Sequence, residues 1–370
     1  MNEVLPRAGL HVSRRRKILY ACAAVVLTLA MGFIGILCVD VYLHGKYEKT
    51  AGLNVWGYRG PRVASKQRDE YRVTLLGGSS AFGYGVDWHE SIPAVLEREL
   101  AGHRSGPFQR FSAVNLGYNN EGAYSFRFTL EDYLWLDYDV ACLYEGYNDT
   151  MGDPNGPNVA VFRHDSPVFR LTGYLPIFPI IFREKAAALM YGNVSELYRF
   201  GDKTVFRPNV AKRTAAESLR VAADVGDSLS RQLDRATAEP ARRITDVAST
   251  GCKPPWQEYC RSVLVATEFA RQHDKQVLVV TQPYELGKVG ERHIEQQREM
   301  AAMLQRRFGG DPMVRYVNLG TTVDLYDPAL SFDRMHLTAE GNRRVARALV
   351  EPVVAMAAVR GTRGGSDGAR

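Results

Sequence analysis

The chain has 370 residues, 45% of them hydrophobic and 24% charged, which suits one large domain with an insertion or two small ones and excludes a disordered protein. Its net charge of +6 is dispersed, without zinc-finger, RNA-binding-sheet or helix-turn-helix signatures, which argues against nucleic acid as a partner. Five cysteines are too few for a disulfide scaffold and lack zinc spacing, and neither a dinucleotide-binding nor a phosphate-binding glycine loop is present, so neither a metal nor a cofactor is expected.

Residues 1–17 form a polar leader ending in Arg14-Arg15-Arg16-Lys17. Residues 18–39 then run without a charge, and at about 1.5 Å per residue they are long enough to cross a hydrocarbon layer of roughly 30 Å. The positive flank predicts a single-pass signal anchor in the cell membrane, amino terminus cytoplasmic, with everything beyond exported to a periplasmic or extracellular space. A cleaved signal peptide is the rival, but the apolar run exceeds the usual length and no small-residue cleavage site follows. Residues 40–70 read as a juxtamembrane connector, interrupted by Gly52, Gly57, Gly60 and Pro61.

The first strand is expected at 72–76, ending at Gly77-Gly78-Ser79-Ser80. A helix follows at 91–100, a strand at 111–116, a helix at 124–134, and a strand at 138–144 that ends before Gly146-Tyr147-Asn148-Asp149. From about 150 to 256 the alternation breaks. This stretch reads as a helical insertion: apolar and aromatic over 168–191, where Pro176 and Pro179 are expected to break any helix, then polar with helical spacing over 211–247. The alternation resumes with a helix at 257–273, a strand at 276–281, a helix at 291–308, a strand at 314–319 and a helix at 338–358. Residues 359–370, glycine-rich from Gly361, read as a disordered tail. Strands alternating with helices predict a parallel sheet covered on both faces, an α/β fold of three layers.

Ser79 stands at the end of the first strand, an address for a nucleophile in open α/β sheets. Asp333 and His336, three apart, are spaced for a carboxylate to hold one imidazole nitrogen while the other faces a serine. Glycines at 117 and 122 offer backbone N–H groups, and Asn148 offers an uncharged side-chain donor. Singly, an Asn-Asp after a strand is a turn and a histidine at a helix start is a cap. Together, at successive strand ends, they point to acyl transfer.

These four blocks, in this order, resemble those of the SGNH hydrolases, the GDSL-type esterases and lipases. Gly77-Gly78-Ser79-Ser80 stands where the family has Gly-Asp-Ser, Asn115-Leu116-Gly117 running to Gly122 forms the second block, Gly146-Tyr147-Asn148-Asp149 matches Gly-x-Asn-Asp, and Asp333-Arg334-Met335-His336 matches Asp-x-x-His. The resemblance implies a flavodoxin-like α/β/α sheet over 71–358, with Ser79 as nucleophile, His336 as base and Asp333 orienting it. Its implied oxyanion hole is Ser79, Gly122 and Asn148, with Gly117 as the alternative glycine. It implies an esterase acting on an acyl-ester substrate, a cell-envelope glycan or lipid; an O-acyltransferase using the same acyl-serine and a catalytically silent scaffold are the alternatives. Two further expectations concern the exported part. Cys252 and Cys260 are expected to form a disulfide, being neighbours in an oxidising compartment. The stretch 168–191 is expected to act as a lid resting on the membrane, with Arg170, Arg183 and Lys185 available to lipid phosphates, or else to pack as extra core.

Overall fold

The structure, a computed structural model, describes residues 13–48, 53–144, 146–151, 156, 158–159, 163–192, 208–237 and 249–367. Of the expected segments, 1–12 of the leader, 238–247 of the polar helical region and 368–370 of the tail lie outside the described residues.

Five strands, β1 (Glu70–Leu76), β2 (Arg110–Asn115), β3 (Val140–Tyr144), β4 (Gln276–Thr281) and β5 (Val314–Asn318), form one parallel sheet in the order β2-β1-β3-β4-β5. This is the flavodoxin-like order. The helices described are α1 (Arg14–Tyr47), α2 (Ser79–Phe82), α3 (Ile92–Glu99), α4 (Phe126–Asp132), α5 (Tyr147–Met151), α6 (Pro167–Thr172), α7 (Phe178–Tyr191), α8 (Val210–Thr237), α9 (Gln257–Gln272), α10 (Lys288–Phe308) and α11 (Ala339–Asp367). Along each strand successive side chains go to opposite faces. Val73, Leu75, Val140 and Cys142 pack with Ile92 and Leu96 of α3 and Val345 and Leu349 of α11. Leu76, Ala141, Leu143 and Val277 pack with Leu130 of α4, Leu264 of α9 and Met300 of α10 on the other side. β1, β3 and β4 are therefore buried throughout, the reason β3 and β4 read as largely apolar runs, while β1 buries Glu70, Arg72 and Thr74 among its apolar residues. The chain runs from β1 outward to β2 and crosses back to β3, so the ends of β1 and β3 flank the switch point where such sheets bind ligands.

Among the described residues α1 is the one helix long and apolar enough to cross a membrane: its most apolar 18 residues have a mean hydropathy of 2.6 and none is buried inside the structure. Its far end corrects the reading of 40–70 as a connector. The helix continues to Tyr47 and buries Asp40, Leu43 and His44. Asp40 accepts the N–H groups of Ile177 (2.9 Å) and Phe178 (2.6 Å) at the head of α7, and the hydroxyl of Tyr174. The two ring nitrogens of His44 face the carbonyls of Leu53 and Leu175, each at 2.9 Å. Further on, Gly57 and Gly60 turn the chain at positive φ so that the Arg59 N–H meets Asn115 O at the end of β2 (3.1 Å). Buried polar groups with partners, not apolar periodicity, make this segment part of the fold.

Between α5 and α9 the described residues form α6, α7 and α8 and no strand. The prolines of 168–191 do not prevent a helix. Pro176 lies in the link between α6 and α7, and Pro179 occupies the first turn of α7, where its missing N–H is no loss. Phe169, Leu175, Ile177 and Ile181 join the core, while Arg170 and Arg183, expected to meet lipid phosphates, pair with Asp234 and Asp227 of α8. The expected tail is also corrected: α11 runs to Asp367, its body docked through buried Val353 and Met356 and held at Arg360 by Asp139 (3.2 Å) and Asp274 (3.1 Å), so the helix propagates through its glycines. Cys252 and Cys260 are bonded, with Cα atoms 6.5 Å apart, and pin the start of α9.

Candidate active site

β1 ends at a turn only glycine can make. Gly77 has φ +153°, and a Cβ there would come within 2.0 Å of the Tyr144 carbonyl at the end of β3. The turn puts Ser79 at the head of α2, and Gly83, at φ +83°, closes the helix four residues later. From the opposite end of the sequence, His336 places Nε2 2.8 Å from Ser79 Oγ. Its Nδ1 lies 2.6 Å from Asp333 Oδ2, and Asp333 Oδ1 accepts the N–H groups of His336 (2.7 Å) and Met335 (3.0 Å). Partial burial works to raise the Asp333 carboxyl, but its hydrogen bonds from the His336 side chain and backbone and the His336 charge outweigh this and hold it below its ordinary value. The imidazole is flanked by Tyr84 (ring centroids 4.8 Å apart) and by Phe332, stacked at 5.8 Å. Phe332 in turn lies against Gly85, where a Cβ would come within 2.5 Å of its ring. Ser80 donates to Met335 O at 3.4 Å, so Ser79 is the serine that meets the imidazole.

The loop after β2 distinguishes its two glycines. The Gly117 N–H donates to Asn115 Oδ1 at 3.0 Å, whereas those of Gly122 and Ser79 have no acceptor among the described residues. Gly117 serves packing: a Cβ would come within 2.5 Å of Phe82 N, so its absence lets the loop close onto α2. Tyr118 N–H donates to Gly77 O at 2.8 Å, tying this loop to the turn that carries Ser79. Asn148 donates through Nδ2 to Glu121 O (2.8 Å), and Asp149 accepts Ala123 N–H (3.0 Å), so the segment after β3 grips the chain on both sides of Gly122. All the residues read from the sequence as a site thus lie on the carboxyl edge of the sheet or in the loop before α11. Among the described residues no three His, Cys, Asp or Glu side chains converge as a metal site.

Two arginines that support this edge had no signal in the sequence, each being one basic residue among 47. Arg59, 3% exposed, donates to the carbonyls of Phe82 (2.5 Å), Gly83 (2.6 Å) and Val86 (2.5 Å), the end of α2 and the turn after it, and burial pushes its guanidinium down to about 10. Arg163, from the insertion, pairs with Glu121 (3.1 Å) and donates to Leu116 O (2.6 Å), bracing the loop that carries Gly122. Both members of that pair are buried.

No protein-family model matches the chain, and no curated protein matches it. Among solved structures, it is similar to a family 3 carbohydrate esterase from Clostridium thermocellum at 13% identity, covering 78% of this chain and 99% of that one with a TM-score of 0.38. A member of the lipolytic protein G-D-S-L family from Veillonella parvula matches at 10% identity over 76% and 97% of the two chains, TM-score 0.40. An acetylxylan esterase from Geobacillus stearothermophilus matches at 11% identity over 76% and 94%, TM-score 0.38. At such TM-scores the function has to be read from the site itself.

Proposed function

We propose that the chain is a serine esterase of the SGNH type, anchored to a membrane by residues 18–39 with its catalytic domain, 71–358, exported, and that it cleaves O-acyl esters of an envelope glycan or lipid. The observation that carries this reading is the unbroken line Ser79 Oγ, His336, Asp333, with contacts of 2.8 and 2.6 Å. Ser79 Oγ attacks the ester carbonyl as His336 Nε2 takes its proton. Asp333 accepts from Nδ1, fixes the tautomer and stabilises the imidazolium. The N–H groups of Ser79 and Gly122 and the Asn148 amide receive the oxyanion, at roughly 10²–10³-fold in rate per donor. Collapse expels the alcohol, which leaves with the proton from His336. Water then repeats the sequence on the acyl-serine, releasing the carboxylic acid and restoring Ser79. The anchor is supported by the unburied apolar length of α1 and the arginines at its start, and the disulfide suits an oxidising compartment. The test is turnover of a short-chain aryl ester by the purified chain: the wild type is expected to hydrolyse it, and turnover retained in Ser79→Ala would refute the assignment.

A further inference from the structure

A cleft of about 630 Å³ opens beside α2, within the range of roughly 300–1,000 Å³ of ligand pockets. Its walls come from parts of the chain outside the parallel sheet. Tyr47 and Leu53 belong to the exit end of α1, and Ile177, Ile180 and Ile181 to α7 and the residue before it. The third wall, Phe82 and Tyr84, is the nucleophile helix and its following turn, and Tyr84 is the residue whose ring lies 4.8 Å from that of His336. The cleft therefore runs from the end of α1 to the tyrosine that flanks His336. It is rigidly bounded on the anchor side, because Asp40 and His44 hold α1 to the head of α7.

The chemistry of the lining restricts the occupant. The three isoleucines with Leu53 and Phe82 form an apolar face suited to a hydrocarbon chain. The charged members are Asp87, Glu90 and Glu184, which repel an anionic head, and Arg59, whose Nη1 and Nη2 donate to three backbone carbonyls. Asn119, in the loop that carries Gly122, closes the end of the cleft away from α7 with an uncharged side chain. We propose that this cleft holds a single-chain acyl ester drawn from the lipid surface, its chain along α7 and its neutral head toward the loop of Asn119. The proposal rests on the esterase reading for its reaction but not for its binding.

The test separates the two. The full-length Ser79→Ala chain is placed in phosphatidylcholine nanodiscs containing a monoacylglycerol with a photoreactive diazirine at its chain end, and crosslinked peptides are mapped. Adducts on α7 or on Tyr47 and Leu53 are expected, with loss of these adducts when Ile180→Trp fills the cleft and its melting temperature shows the fold kept. The same chain carrying a phosphate head is expected not to label there, and Glu184→Lys to gain that labelling, a result misfolding cannot produce. Adducts confined to 18–39, equal labelling by both heads, or labelling unaffected by Ile180→Trp would overturn the proposal. Failure of the wild type to hydrolyse a short aryl ester would instead count against the esterase reading.

Discussion

The carboxyl edge of the sheet and the joint between α1 and the insertion are built on opposite plans. At the edge, chemistry is held in short segments: Asp333 and His336 are three residues apart and bonded to each other, Asn148 and Asp149 are adjacent, and Gly77 to Ser79 are consecutive. At the joint the ties to the insertion are long-range. Asp40 reaches the head of α7 across 137 residues of sequence, and His44 reaches Leu175 across 131. The edge can change chemically with little effect on the fold, whereas the joint consists of buried polar groups whose loss is felt in stability.

The largest effect should fall at the edge. Ser79→Ala and His336→Ala are each expected to lower ester turnover by about 10⁴-fold or more, because members of such a unit fail together. Melting temperature should barely move in Ser79→Ala, whose side chain is not part of the core. Asp333→Asn should cost less than either, since Asp333 lies at the exposed end of the line. A melting change as large in Ser79→Ala as in a joint variant would erase the contrast. The sign for pH follows from the lowered Asp333 carboxyl: its hold on the histidine loop is fully present above its ordinary value and is lost only as pH falls through a lower one. Thermal unfolding followed downward in pH should show Asp333→Asn losing stability relative to wild type at neutral pH, with the two converging in strong acid.

Next in size is the pair beneath the Gly122 loop. Arg163→Ala leaves Glu121 buried without its partner and is expected to cost about 3–5 kcal/mol in denaturant unfolding. A cost under about 1 kcal/mol, the scale of an exposed pair, would mean the loop does not depend on the insertion. Removing the Cys252–Cys260 bond as the double serine variant should cost roughly 2–3 kcal/mol through loop closure, read in the same assay with and without reductant.

Arg59 is where the two regions meet, and it sharpens the comparison most finely. Arg59→Lys cannot span three carbonyls and should let the turn after α2 shift. A drop in kcat of about 10–10² with KM nearly unchanged is expected, as for a small misplacement of a reacting group. Equal losses in kcat and stability would reassign Arg59 to the fold alone.

The same contrast governs how much could be read from the chain. The strands at 72–76 and 276–281 were legible because burial on both faces leaves runs rich in leucine and β-branched residues, and the candidate site residues were picked out by their place at strand ends, by the three-residue spacing of Asp333 and His336, and by resemblance. Arg59, Arg163, Asp40 and His44 were not, since a single polar residue has no periodicity and its partner lies elsewhere in the sequence. The prolines of 168–191 misled for a related reason: Pro179 forbids a helix interior but favours a first turn, and which it occupies depends on Asp40 supplying an acceptor to the N–H groups of Ile177 and Phe178. In the loop after β2 the preference for Gly122 over Gly117 came from resemblance alone; the donation of the Gly117 N–H to Asn115 Oδ1 was not legible in the sequence.

The most direct test of the central claim is covalent labelling of the full-length chain with a fluorophosphonate, followed by peptide mass spectrometry. The arrangement of Ser79, His336 and Asp333 predicts one adduct, on Ser79, abolished in His336→Ala. An adduct on Ser80, or none on a folded chain, would contradict it.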